Sequence, residues 1–215
     1  MLTQKSLDFL KDLAKNNNRD WFQTNKTRYE VDLKKPFEDF VGQIIQEIRK
    51  VDERVTVEPK KAIFRIHRDT RFSKDKTPYK NNVGAIISPK GKDEPGLYIH
   101  IEHGMLMLSG GAYFLEKEQL YKVRQQIMMH SEQFHDIINK VAFKEKFGTI
   151  QGEKNKKLPV EFQEAAVQQP LLYNKQFYAM AELDPKEVLR EDAVGFVLEY
   201  YKAIKPLNDF LLEVS

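Results

Sequence analysis

The sequence predicts an α+β fold: an antiparallel sheet of about four or more strands in the middle of the chain, packed against N-terminal and C-terminal helices. Three observations predict it. Apolar residues recur at helical spacing through residues 1–50, alternate with polar ones in segments of 60–110, and return to helical spacing from Glu116. The 215 residues are expected to form a single domain, helical over 1–50, strand-rich over 60–110 and mainly helical over 115–215.

Each element has its own signal. Thr3 can cap a helix whose apolar positions include Leu7, Leu10, Leu13 and Ala14. Asn16, Asn17 and Asn18 mark a turn. A second helix begins near Asp20, with Trp21, Asn25 and Tyr29 stacked four residues apart. Pro36 should kink that helix or open a new one in its first turn. Phe37, Phe40, Val41, Ile44, Ile45 and Ile48 then form one apolar stripe.

The period changes in the middle. In 62–67, Ala62, Phe64 and Ile66 alternate with Ile63, Arg65 and His67, a strand pattern. Residues 83–87 are a second strand candidate. In 97–103, Leu97, Ile99 and Ile101 point one way and Tyr98, His100 and Glu102 the other. Residues 105–108 can pair with that strand across Gly104. From Glu116, Leu120, Val123 and Ile127 share a helix face, and Ser131 can cap the next helix. Residues 144–176 read as an irregular connection with short helical turns. Asp184-Pro185 is a cap followed by proline, and 192–214 is a helix interrupted or kinked at Pro206.

Composition excludes several classes. Hydrophobic residues make up 41% of the chain, enough for a core and against global disorder. No apolar run approaches the roughly 20 residues that span a bilayer, so no membrane partner is expected. The N-terminus is broken by charges and lacks a signal-peptide core. The expectation is a soluble, cytoplasmic protein. The absence of cysteine removes disulfides, thiolate nucleophiles and Cys-ligated metal centres.

The most informative segment is 60–80. It carries eight basic residues and two acidic ones in a chain whose total charge is only +3. Arginine supplies forked donors for phosphate or carboxylate, so such a concentration points to an anion. In this reading Arg65, Arg68, Arg71, Lys76 and Lys80 hold the anion, Asp69 and Asp75 orient the arginines, and Tyr79 supplies a hydroxyl. The competing reading is structural: Asp69 and Asp75 pair with the arginines and pin a long loop while Tyr79 packs.

The run Arg65-x-x-Arg68-Asp69-x-Arg71-Phe72-x-x-Asp75-Lys76-x-x-Tyr79 resembles the signature of a bacterial family catalogued as a domain of unknown function. The resemblance extends over nearly the whole chain. It includes Asn17, Asn18, Arg19, Trp21, Phe22, Asn25 and Lys26 before the signature, and Tyr98, His100, Ile101, Glu102, Gly110 and Gly111 after it. It implies no activity, substrate or catalytic residue.

Other constellations are weighed against blander readings. His100 and Glu102 share a strand face, with His67 as a further ligand if its strand is adjacent. The commoner arrangement is a polar sheet face in which Tyr98, His100 and Glu102 hydrogen-bond to Arg65 and His67, and no metal is assigned. Gly110 and Gly111, placed between a strand and a helix, could let backbone N–H groups approach an anion, but the Walker pattern is absent. Such pairs more often turn the chain. Trp21 and Asn25 could stack on a base or sugar; Trp21 and Phe22 as core anchors are the more frequent outcome. No catalytic residue or cofactor follows from the sequence.

The expected function is therefore binding of an anionic small molecule, phosphorylated or carboxylated, through the Arg/Lys-rich motif. The alternative is a structural ion-pair motif in a protein-interaction domain. Nucleic acid ranks last as a partner. The net charge is small, no recognised nucleic-acid motif occurs, and the last 35 residues carry eight acidic against four basic side chains.

Overall fold

The computed structural model describes residues 1–214. Its helices and sheet bear out the predicted class: an antiparallel four-stranded sheet in the middle of the chain, with helices at both ends. The order is α1 (Gln4–Lys15), α2 (Arg19–Thr24), α3 (Lys26–Arg28), a π-helical stretch Tyr29–Lys34, α4 (Lys35–Arg49) and α5 (Pro59–Ala62). Next come β1 (Asn82–Ile87), β2 (Leu97–Glu102) and β3 (Met105–Ala112). Helices α6 (Lys117–Met129), α7 (Ser131–Asn139), α8 (Val141–Phe147), α9 (Val160–Gln163) and α10 (Ala165–Gln168) follow. After the 3₁₀ turn Pro170–Tyr173 come β4 (Phe177–Leu183), a second 3₁₀ turn Pro185–Leu189, and α11 (Ala193–Leu212). The strands are hydrogen-bonded in chain order, β1-β2-β3-β4.

Two compact units can be distinguished, and each has its own core. The first comprises Met1–Gly91, Tyr98–Leu108 and Glu182–Glu199. Leu7, Phe9, Leu10 and Leu13 of α1 are buried there, as is the whole predicted stripe of α4 from Phe37 to Ile48. Ala14 is exposed, and Phe9 extends the buried face on its other edge. Thr3 occupies the N-cap position of α1, where its N–H donates to Ser6 Oγ at 3.1 Å. The helix predicted to begin near Asp20 starts at Arg19, with Asn18 as its cap, and is broken into α2, α3 and the π-helical stretch. The Asn18 side chain accepts from the Trp21 N–H at 2.9 Å and so fixes the first turn. Pro36 lies in the first turn of α4, which follows directly on the π-helical stretch.

The strand expected at 62–67 is not a continuous strand. Ala62 ends α5, and the segment then makes isolated bridges, Ile63 to Ala85 and His67 to Tyr79. Phe64 N–H donates to Gly84 O, Lys80 N–H to Ile66 O, and Arg68 N–H to Pro78 O. Pro78 has no N–H with which to complete a ladder. The result is an irregular hairpin whose tip is the loop 69–77.

The second unit comprises Lys92–Leu97, Ser109–Ala181 and the chain from Tyr200 onward. Phe134 packs on Phe177 and Phe210, with ring centroids 6.5 and 5.4 Å apart, and Phe147 meets Tyr200 edge-on at 5.5 Å. Buried Arg124 donates to the carbonyls of Leu172 and Asn174, at 2.9 and 3.0 Å, and so tethers α6 to the turn before β4.

Strand β4 lies in a stretch for which the sequence reading predicts no element, although Phe177, Ala179 and Ala181 alternate inward. Two further differences concern α7 and α11. Ser131 is the first residue of α7, with His130 at the cap position. The helix expected over 192–214 is present as α11, and it runs through Pro206 without interruption.

Candidate functional site

The site is built from two segments some fifty residues apart in sequence. The first is the asparagine turn with α2. The second is the irregular hairpin that carries the arginine motif. Asn17 joins them. Its Nδ2 donates to Tyr79 O at 2.9 Å and to Asn81 Oδ1 at 2.7 Å, while the Tyr79 N–H donates to its Oδ1 at 3.1 Å. One carboxamide thus satisfies both backbone groups of Tyr79, as a paired strand would. Beside this clamp the rings of Phe22 and Tyr79 stack at 3.9 Å, and His67 stands 5.1 Å from Tyr79. Tyr79 is only 4% exposed, so its ring is a packing element of the site floor.

The loop 69–77 is held by its own charges. Arg68 Nη1 donates to Asp75 and to Thr77 Oγ1. Arg71 closes on Asp69, with Nε and Nη2 donating at 3.0 and 2.7 Å. Lys76 Nζ donates to Thr70 O at 2.9 Å. Hydrogen bonding from Arg68, followed by the Thr77 backbone and hydroxyl, holds the Asp75 carboxyl down at about 2. The side chain of Arg71, then its N–H, likewise lowers that of Asp69.

A titration follows from this arrangement. The folded Asp75 lies below the ordinary carboxylate value of 3.8, so its pairing supports the loop above that pH and is lost as pH falls toward about 2. The expected result is an Asp75 carboxyl carbon that titrates near 2 by NMR, together with the Arg68 side-chain signals. A midpoint at the ordinary value would mean that the pair does not form in solution.

These walls enclose a cleft of about 950 Å³. Asn17, Asn18, Arg19, Asp20 and Gln23 line one side; His67, Arg68, Thr70, Lys76 and Thr77 line the other, with Pro78 and Tyr79. Its cations are Arg19, Arg68 and Lys76, against one carboxylate, Asp20. Arg68 already holds Asp75, whereas Arg19 and Lys76 have no carboxylate partner among the described residues.

Of the sequence-predicted residues, the cleft therefore brings together His67, Arg68, Lys76 and Tyr79. Asp75 stands behind Arg68. Arg71 and Asp69 form their own pair on the exposed part of the loop, where Phe72 is 95% exposed. Arg65 lines a different cavity, and the Lys80 ammonium lies over the Phe64 ring at 5.2 Å. Arg19, Asp20, Gln23 and Thr77 were not singled out as site residues. The available signal is the Arg19-Asp20 pair directly after the asparagine turn, which has no meaning for a site until the hairpin lies against it.

The remaining candidates have local roles. Trp21 packs 5.6 Å from Phe9, and Asn25 Nδ2 donates back to Trp21 O at 2.9 Å. His100 sits between Tyr98 and Glu102 along one face of β2, with contacts of 3.1 and 3.4 Å to them and none to Arg65 or His67. No cluster able to hold a metal ion occurs among the described residues. Gly110 and Gly111 lie within β3 rather than after it, and the Gly111 N–H donates to Asn208 Oδ1 at 2.7 Å.

Fold and site together define an α+β protein with a polar, cation-bearing cleft at the tip of an irregular hairpin. The model of the conserved hypothetical protein family DUF2461 matches residues 5–210, and the chain belongs to that family. No curated protein and no solved structure matches it. No helix among the described residues is long and apolar enough to cross a membrane.

Proposed function

We propose that the protein binds a phosphorylated or carboxylated small molecule in the cleft between α2 and the arginine hairpin. The observation that carries this reading is the meeting of Arg19, Arg68 and Lys76 in one concavity, with Asp20 as its only lining carboxylate among the described residues. Its volume of about 950 Å³ lies in the range of small-molecule sites. A lining of carboxamides, hydroxyls and cations suits a hydrophilic anion rather than an apolar one. Arg19 and Lys76 are the anion's direct partners. Arg68, already engaged by Asp75 and Thr77, is a positioning residue that also adds positive potential.

The test is a thermal-shift titration of the full chain with inorganic phosphate, sugar phosphates, nucleotides and dicarboxylates. At a hundredfold excess over Kd, a true ligand raises the melting temperature by about 5–10 °C for a protein of this size. The double variant Arg19→Ala/Lys76→Ala should keep its basal melting temperature, as exposed substitutions do to within about 0.5 kcal/mol, and lose the shift. A shift retained by that variant would place the ligand elsewhere. Binding that collapses steeply with salt, for nucleic acid of any sequence, would reassign the cleft to a polyanion.

A further inference from the structure

Arg65 heads the basic motif in sequence yet lies outside the cleft just described. It lines a second cavity, of about 460 Å³, whose character is different. The walls are Phe37, Ile63, Phe64, Ile66 and Val83, of which Phe37, Ile66 and Val83 are buried core residues. The charged residues at its border are Lys34, Lys60, Arg65 and a single carboxylate, Glu38. Lys34 is taken by Glu30 at 2.8 Å, and Lys60 faces Glu38 at 3.8 Å. Arg65 has neither a hydrogen bond nor an ion pair among the described residues. Tyr29 lines the same cavity, and its hydroxyl has no hydrogen-bond partner among the described residues.

We propose that this cavity is a second ligand site, taking a monoanion with an apolar body, an aliphatic or aromatic carboxylate, whose head group lies against Arg65 and Tyr29. The apolar walls favour a hydrocarbon chain by removing it from water, at about 25 cal/mol per Å² buried. They disfavour a phosphate dianion, whose desolvation they would not repay. Guanidinium recognises a carboxylate through paired N–H donors. Burial, with Glu30 as a lesser cause, pushes the Tyr29 phenol up to about 12, so it remains a hydrogen-bond donor throughout the neutral range. The two cavities thus divide the motif between them. Phe64, Arg65 and Ile66 serve the apolar one, and His67 and Arg68 the polar one.

Calorimetric titration of the full chain with octanoate tests this, with 1-octanol, octylamine and acetate as comparisons. Octanoate is expected to bind with a negative heat-capacity change, about tenfold more tightly than 1-octanol. Octylamine and acetate should show no binding. Arg65→Gln should weaken octanoate about tenfold, to the level of 1-octanol. Tyr29→Phe should weaken it by a smaller factor, and Lys76→Ala should leave it unchanged. The proposal is overturned if octanoate does not bind at millimolar concentration, if 1-octanol binds equally well, or if Lys76→Ala rather than Arg65→Gln abolishes binding. The last result would put the carboxylate in the polar cleft.

Discussion

Gly111→Ala is expected to destabilise the protein by about 4 kcal/mol or more. Two independent effects combine. Gly111 has φ +96°, a conformation that side-chain-bearing residues rarely adopt. A Cβ at this position would also run into the backbone carbonyl of Phe177 on β4, with the Tyr178 Cα 2.8 Å away. Neither obstacle can swing aside as the end of a side chain could. The strand would have to shift, and the Gly111 N–H would lose its bond to Asn208. Since a domain's whole stability is about 5–15 kcal/mol, the variant should show a much reduced urea midpoint by circular dichroism, or fail to fold. A loss below about 1 kcal/mol would show that β3 and β4 do not approach in this way.

Phe22→Ala should have the next largest effect, about 3–4 kcal/mol. Phe22 is 5% exposed and touches Tyr29, Tyr79 and His67, with its ring stacked on Tyr79. Truncation leaves a void beneath the hairpin, and collapse into it would displace the backbone that carries Arg68. The consequence reaches the cleft: the anion-dependent thermal shift should vanish together with the stability. Phe22→Leu retains most of the volume and should cost less than about 1.5 kcal/mol, keeping the shift. Urea unfolding followed through Trp21, the chain's single tryptophan, reports directly on this cluster. A loss below about 1 kcal/mol for the alanine variant would mean that the Phe22–Tyr79 stack contributes little.

Both variants concern residues whose roles a linear reading treats differently. The helices of the N-terminal part were legible because their apolar spacing is local: the α4 stripe from Phe37 to Ile48 is buried as its period requires. Strands β1 and β2 were legible for the same reason. Strand β4 was missed because its inward positions, Ala179 and Ala181, are small and weakly hydrophobic, and because it pairs with β3 across a long helical connection. The hairpin at 63–68 looked like a full strand because its alternation is real. Pro78 and the clamp by Asn17, sixty-two residues from Tyr79, turn it into two bridges and a loop.

The site divides along the same line. Composition and spacing suffice to locate a cationic motif, to give the helices their buried faces and to set the fold class, because charge density and period are properties of neighbouring residues. They do not say which cations share a space. Folding separates Arg65 from Arg68, pairs Arg71 with Asp69, and brings in Arg19 from the distant asparagine turn. Strand alternation and long-range hydrogen bonds choose the direction in which each side chain leaves the backbone. Neither is encoded in the local order of charges, so a single basic run is divided between a polar cleft, an apolar cavity and the exposed Arg71–Asp69 pair.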